Sequence, residues 1–539
     1  MLSFFNSNKN LFTFLFFFIF LIIGIAIFPH YGISIDEDNT RLNGFVSLKY
    51  IFESLGLNNQ MQTDTIVGIP TMSEWKEQGH GVVFDLPTAF IEFLFNIDDS
   101  RDYFLMRHLV TFIFFFIGVC FFYLLIKNRY NSSLFAIMGT SFLILSPRIF
   151  ANSFFNNKDI IFMSLFIVSL FFAANFLVKP NLKTAISFSL ISALAIDTRI
   201  LGIIIPALVL TIYIIDIFNN NRFIKSKLRP LVLVLVALPF FIIIFWPYLW
   251  ENPLNNFFQA FKILSKHDVY VFNLYQGDYI NAKNVPWHYP LIWIFITTPL
   301  MYIIFFILGF FILFVKLISR IIKIEENDIW KGKHELVDLL FFATFFAPLL
   351  IIIILNSTLY DGWRHLYFLY PSFLLISLTG FNYIKINYFK KKTNLLFVLI
   401  FLLITPTLIW MIKNHPYQNI YFNKLAGKNF YKSYDMDYWG LSNYAALNYI
   451  VKNDSKKTKV AHIGTTDLFI SQIFLEKKYR NQISLIDNIK DADYIINNYR
   501  NWLGKKNDIN LSESSDYTKF YEIKIDDIPI NTTFKKNDK

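Results

Sequence analysis

Residues 11–38 read LFTFLFFFIFLIIGIAIFPHYGISIDED: an apolar run, a short Pro-His-Tyr-Gly step, and then three acids, Asp36, Glu37 and Asp38. A helix of about eighteen residues is roughly 27 Å long, close to the thickness of a bilayer's hydrocarbon core. The run is longer than a signal-peptide core and no A-x-A-like cleavage site follows it, so it reads as an uncleaved first membrane helix over 10–29. Similar runs recur near 106–126, 134–147, 160–178, 184–197, 200–217, 231–247, 291–315, 336–355, 366–383 and 394–412. The expected fold class is therefore a polytopic α-helical membrane protein with about 11 transmembrane helices.

Composition agrees with this reading. Of 539 residues 55% are hydrophobic and only 17% charged, against about a quarter charged in soluble domains. The net charge of +11 does not point to nucleic acid, because Lys and Arg gather in short loops between apolar runs, the signature of cytoplasmic loops. These loops carry Lys127 and Arg129, Lys179 and Lys183, Arg222 to Arg229, Lys316 to Lys333, and Lys385 to Lys392. Cys120 stands alone, which excludes a disulfide within the chain, a cysteine zinc site and a dithiol centre.

Three segments on the opposite face are too long to be connectors. The first, 30–105, begins with the acids and holds two interfacial patterns, Arg41 to Leu55 and Leu86 to Phe95. The second, about 247–290, is rich in Trp, Tyr and Pro, as segments at headgroup depth are. The third, 413–539, alternates helix-like and strand-like stretches and reads as a small α/β domain outside the membrane. The expected division is thus a membrane domain over 1–412 and a C-terminal domain over 413–539.

Ionisable residues avoid the span interiors and collect at outward helix ends. Asp36, just beyond an apolar helix and beside Glu37 and Asp38, has the setting of a general base; a solvated acidic turn would use the same residues. The loop 146–159 carries Arg148, Lys158 and Asp159 among several amides. Its cations suit a phosphate, or equally plain anchoring at the interface. Asp361-Gly362-Trp363-Arg364-His365 suits an anionic headgroup, or a capped helix start. Glu74, His80 and His288 form a candidate divalent-metal trio. No Gly-rich phosphate loop and no G-x-S-x-G motif is present.

Taken in order, the acidic pair after the first helix, the Pro-Arg…Asn-Lys-Asp loop, the late Arg-His pair, His415-Pro416-Tyr417-Gln418, Tyr421-Phe422-Asn423 and Asp437-Tyr438-Trp439-Gly440 resemble one family. It is the bacterial branch of glycosyltransferase family 39, of the GT-C class, with protein O-mannosyltransferases and aminoarabinose transferases as relatives. The resemblance covers about residues 1–445. It implies inverting transfer of a sugar from a polyprenyl-phosphate donor to a lipid, glycan or protein acceptor, at the outer face of a bacterial inner membrane. It further implies that Asp36-Glu37 and Asp159 supply the catalytic carboxylates, with Asp36 the base. Arg148, Lys158, Arg364 and His365 would then bind the donor phosphate. Some members hold a divalent metal and others none, and no cofactor is fixed by these motifs. A flippase of lipid-linked sugars, another envelope polymerase or ligase, and a membrane scaffold are the competing readings.

Overall fold

The computed structural model describes residues 8–57, 68–219, 225–265, 270–322, 329–501, 503–504 and 516–537. The loop cations Arg222 and Lys323 lie outside the described residues. The membrane part consists of α1 (Asn8–Ile27), α2 (Glu37–Ser54), α3 (Asp85–Leu94), α4 (Ser100–Tyr130), α5 (Ser133–Ile144), α6 (Pro147–Phe155) and α7 (Asp159–Val178). It continues through α8 (Leu182–Thr198), α9 (Ile204–Asn219), α10 (Lys225–Phe245), α11 (Pro253–Ser265), α12 (Tyr289–Thr297), α13 (Leu300–Ile322), α14 (Gly332–Ile354), α15 (Tyr370–Asn387) and α16 (Thr393–Lys413). A hairpin of β1 (Phe272–Tyr275) and β2 (Asp278–Asn281) stands between α11 and α12.

Among the described residues eight helices are long and apolar enough to cross a membrane, or nine if one bent pair counts as a span, rather than eleven. The difference has local causes. The run at 134–147 breaks where Pro147 opens α6, and α5 and α6 meet at 69°; proline is favoured at a helix start because its missing N–H has no partner there anyway. The run at 184–197 yields α8, of 17 residues. The run at 366–383 begins as a 3₁₀ turn, Arg364–Leu369, and the last turns of α15, up to Asn387, carry Asn382, Lys385 and Asn387. The run at 291–315 divides at Thr298-Pro299, and Asn423 satisfies the freed carbonyls of Phe295 and Thr298, each at 2.6 Å.

The two ends of the bundle differ in chemistry. Loops read as cytoplasmic meet one another: Arg129 binds Asp338 through two nitrogens at 2.6 and 2.7 Å, and Arg320 pairs with Glu335 at 3.2 Å. The acids and cations of the other loops gather at the opposite end, where α2 and α3 cross closely because Gly44 has no Cβ to meet the Asp85 carbonyl.

Beyond α16, the short α17 (Phe430–Ser433) and α18 (Leu441–Asn453) lead into a sheet of β3 (Thr458–Ile463), β4 (Ile483–Leu485), β5 (Tyr494–Asn497), β6 (Tyr517–Ile525) and β7 (Ile528–Lys536). Strand order is β4-β3-β5-β7-β6; the first three run parallel and β7 and β6 pair antiparallel. Two short helices, α19 (Phe469–Ile473) and α20 (Lys477–Arg480), lie between β3 and β4. The sheet is fastened to the membrane part: Arg480 grips Asp99 at 2.6 and 3.1 Å, and Phe474 packs with Tyr103, Phe104 and Tyr444.

The closest helix crossing is α13 on α15. A Cβ on Gly309 would fall 1.9 Å from the Ile376 carbonyl, and one on Gly380 would fall 2.2 Å from that of Phe305. Small residues that let backbones touch are a standard route to tight packing in lipid. Gly380→Val should cost about 3 kcal/mol, the upper end of overpacking, because the atoms it meets are backbone and cannot rotate aside. Thermal unfolding in detergent measures this, and an unchanged midpoint would contradict the close seam.

Candidate functional site

The approach to Asp36 is held from three sides. Tyr31 stacks on Phe154 of α6 with ring centres 4.4 Å apart, and its hydroxyl donates to Gln418 at 3.1 Å. Gly32 presses on the Leu441 carbonyl, where a Cβ would fall at 2.2 Å. His30 and His415 share a 2.7 Å ring-nitrogen contact. The His-Pro-Tyr-Gln stretch therefore acts as a brace for the segment that delivers Asp36 to the N-cap position of α2. Asp36 keeps 44% of its side chain exposed.

Opposite stands Arg364, in the 3₁₀ turn before α15 and almost fully buried. Its Nη1 lies 3.3 Å from Asp36 and 3.4 Å from Asp159, and its Nη2 lies 3.3 Å from Asp361. The guanidinium plane is flanked by Tyr360 and Trp439, each 4.9 Å from its carbon. Burial works against its charge, yet the surrounding carboxylates, Asp36 foremost, outweigh that and hold its pKa high. Asp159 opens α7 and is buried; Asn156 donates to it at 3.1 Å, and Arg199 pairs with its other oxygen. Asp36 and Asp159, 123 positions apart in sequence, thus bind the same nitrogen of one arginine.

These groups border a cavity of about 950 Å³. It is lined by Asp36, Lys158, Arg199, Arg364, His365, His80, Glu77 and Trp439. Apolar residues line it too: Ile203 and Ile204 where α9 begins, and Ile351, Ile352 and Leu355 where α14 ends. Lys158 approaches the His80 Nε2 at 3.5 Å, and the same nitrogen meets Glu77 at 2.7 Å. The imidazole donates to the carboxylate, so the lysine contact is a close approach and not a second hydrogen bond. Burial, and then the nearby Arg199 charge, push the Lys158 ammonium down to about 8.

Two sequence candidates lie elsewhere. Glu37 turns into the protein, accepting from the Ser34 N–H at 2.8 Å and meeting His108 at 3.0 Å. Arg148 points away from the cavity; its Nε donates to the Tyr421 carbonyl at 3.0 Å, and its plane lies over Phe422 and Trp293. It tethers α6 to the segment after α16. Three contributors were not singled out for the site. Arg199 was read only as the junction between α8 and α9. Trp439 stood in the Asp437-Tyr438-Trp439-Gly440 motif, whose Asp437 caps α18 through Leu441 N and Ser442 N. Arg500 comes from the tail.

The suggested metal trio does not assemble as a set. Glu74 bonds Thr71, His80 meets Glu77 and Lys158, and His288 bonds Tyr275 at 2.7 Å. Among the described residues no three His, Cys, Asp or Glu side chains converge to hold a metal ion.

What the arrangement can do follows from its charges. Cations aimed at a cavity beside the accessible Asp36 carboxylate can hold an anion and accept a proton next to it. A pH dependence follows as well. Lys158, with its pKa near 8, is cationic at neutral pH and loses charge as pH rises through 8, so affinity for an anion should fall along that limb. Lys158→Arg should remove the limb, because arginine stays charged. Binding of sulfate, whose own charge is constant between pH 7 and 9, followed by tryptophan fluorescence, reads both.

No family model and no curated protein matches the chain. Among solved structures, ArnT from Cupriavidus metallidurans in the apo state is similar over 98% of this chain and 98% of that one, at 10% identity and a TM-score of 0.50. The same protein bound to undecaprenyl phosphate gives 0.43 at 10% identity, over 96% and 97% of the two chains. The Archaeoglobus fulgidus oligosaccharyltransferase, a complex with Zn and sulfate, gives 0.40 at 12%, over 78% of this chain and 59% of that one. The end-to-end match to apo ArnT is one of fold: the chain is a multi-pass membrane protein with a C-terminal sheet, similar in architecture to that structure.

Proposed function

We propose that the protein is a membrane glycosyltransferase that moves a sugar from a polyprenyl-phosphate donor to a lipid, glycan or protein acceptor at the outer face of a bacterial inner membrane. One observation carries the reading: Asp36, Lys158, Arg199 and Arg364, from four distant segments, border one cavity that is also lined by apolar residues at the ends of membrane helices. A lipid-linked phosphate matches both kinds of lining at once. The full-length likeness to the ArnT fold supports the same reading.

In this mechanism the donor's isoprenoid chain lies against Ile203, Ile204, Ile351 and Leu355, and its phosphate faces Lys158, Arg199 and Arg364. The acceptor hydroxyl attacks the anomeric carbon from the face opposite the phosphate. The new C–O bond forms as the bond to the phosphate oxygen breaks, Asp36 takes the hydroxyl proton, and the lipid phosphate leaves with both electrons of the broken bond. The cations stabilise the charge gathering on that leaving group, where fixed donors are most effective. Asp159, locked between Arg199 and Arg364, keeps the two guanidinium groups in register. His365 stands beside them on the cavity wall. Asp36 is the only one of the two carboxylates with water access, which suits the proton acceptor. A flippase is disfavoured because the charges of the cavity sit at helix ends and in the segment between α2 and α3, and transporters place such groups near mid-membrane.

Asp36→Asn should leave folding intact and lower turnover by about 10²–10⁴-fold, the usual contribution of a positioned base. The assay is transfer of radiolabelled sugar from polyprenyl-phosphate donors to envelope fractions by the purified protein. Transfer undiminished in the variant, or a product retaining the donor's anomeric configuration by NMR, would refute the mechanism.

A further inference from the structure

Arg500 follows β5, far along the tail from every segment that lines the cavity, yet its side chain ends at the site. Its Nη2 donates to Asp361 at 2.9 Å, and its Nη1 pairs with Asp435. Asp361 holds Arg364 Nη2, and Arg364 Nη1 holds Asp36 and Asp159. Charge therefore alternates from Asp435 through Arg500, Asp361 and Arg364 to the two carboxylates. Apart from Asp36, each side chain in this chain is 10% exposed or less.

The backbone under Arg500 is fixed too. The Thr465 N–H and hydroxyl donate to the Arg500 carbonyl at 3.1 and 3.2 Å. Asn498 donates to the Asp437 carbonyl at 3.3 Å, in the turn that carries Trp439. Both loops sit at the carboxyl ends of the parallel strands β3 and β5, the end at which open α/β sheets present functional groups. Asp361 itself adopts φ +57°, so its turn is held by its partners and not by backbone preference. Without Arg500, the buried Asp361 carboxylate would keep Arg364 as its one ion-pair partner among the described residues and would compete with Asp36 and Asp159 for it.

We propose that Arg500 is a positioning residue: by engaging Asp361 it sets where Arg364 stands between Asp36 and Asp159, so the C-terminal sheet completes the membrane site. The proposal rests on the reading of the cavity as a lipid-phosphate site.

The test uses the full chain in lipid nanodiscs with undecaprenyl phosphate as probe and undecaprenol, which lacks the phosphate, as control. Arg500→Gln should weaken binding of the phosphate by about tenfold, within the usual range of coupling between linked groups, and leave undecaprenol binding unchanged. Arg500→Lys should fall between the two, since lysine keeps the charge and loses the fork. Asp361→Asn combined with Arg500→Gln should bind no more weakly than Asp361→Asn alone, because the arginine acts through that carboxylate. If Arg500→Gln does not fold, Arg500→Lys carries the test with a smaller shift in the same direction. Wild-type affinity in the variants, additive losses, or equal loss for undecaprenol would overturn the proposal. Wild-type protein that ignores undecaprenyl phosphate would overturn the cavity reading itself, and this one with it.

Discussion

A single guanidinium, that of Arg364, answers three carboxylates from three parts of the chain. Buried charge is tolerated only when paired, and removing one partner from such a pair costs about 3–5 kcal/mol. The ends of α1, α6, α8 and α14 must therefore arrive together, or Asp159, Asp361 and Arg364 are left uncompensated in a low-dielectric interior. The apolar spans provide most of the burial that holds the bundle, but they do not specify which helix end meets which. The ionic cluster around Arg364 does, and the same demand for pairing leaves Asp36 partly open to the cavity.

The second organising feature is the bracing of that cluster. His415, Gln418 and Asn423, all beyond the last span, support Tyr31 and the break between α12 and α13. Asp437 orders the turn bearing Trp439, and Arg480 fastens the sheet to Asp99. The tail motifs quoted for the resemblance thus act at one remove, by fixing aromatic and polar groups against which the cavity is built.

Much of this was readable from residue order. Apolar runs and the placement of Lys and Arg reported the class of protein, and Asp36, Lys158, Asp159 and Arg364 stood out because ionisable groups at outward helix ends are conspicuous against so apolar a chain. The misreadings share a cause. Arg148 and Glu37 have the right residue type at the right depth, but which way each turns depends on α6 folding back at 69° and on His108 waiting behind α2. Arg199 meets Asp159 across a helix pair, and Arg500 meets Asp361 across 139 residues; no periodicity records such meetings. Strand β7, with the sequence IPINTTFKK, was missed because its buried face is largely threonine and asparagine. The helix count was high because length of apolar sequence does not report a break such as Ser146-Pro147 or a 3₁₀ start such as Arg364–Leu369.

The contact of Gly309 with Gly380 reaches beyond stability. With no side chains between them, α13 and α15 share a seam as stiff as their own backbones, and α15 cannot turn about its axis without tearing it. The 3₁₀ turn that carries Arg364 and His365 runs directly into α15. It inherits a fixed bearing, as an instrument bolted to a beam does. Where α9 and α14 reach the same cavity they present Ile204, Ile351 and Ile352, branched side chains in place of a glycine seam.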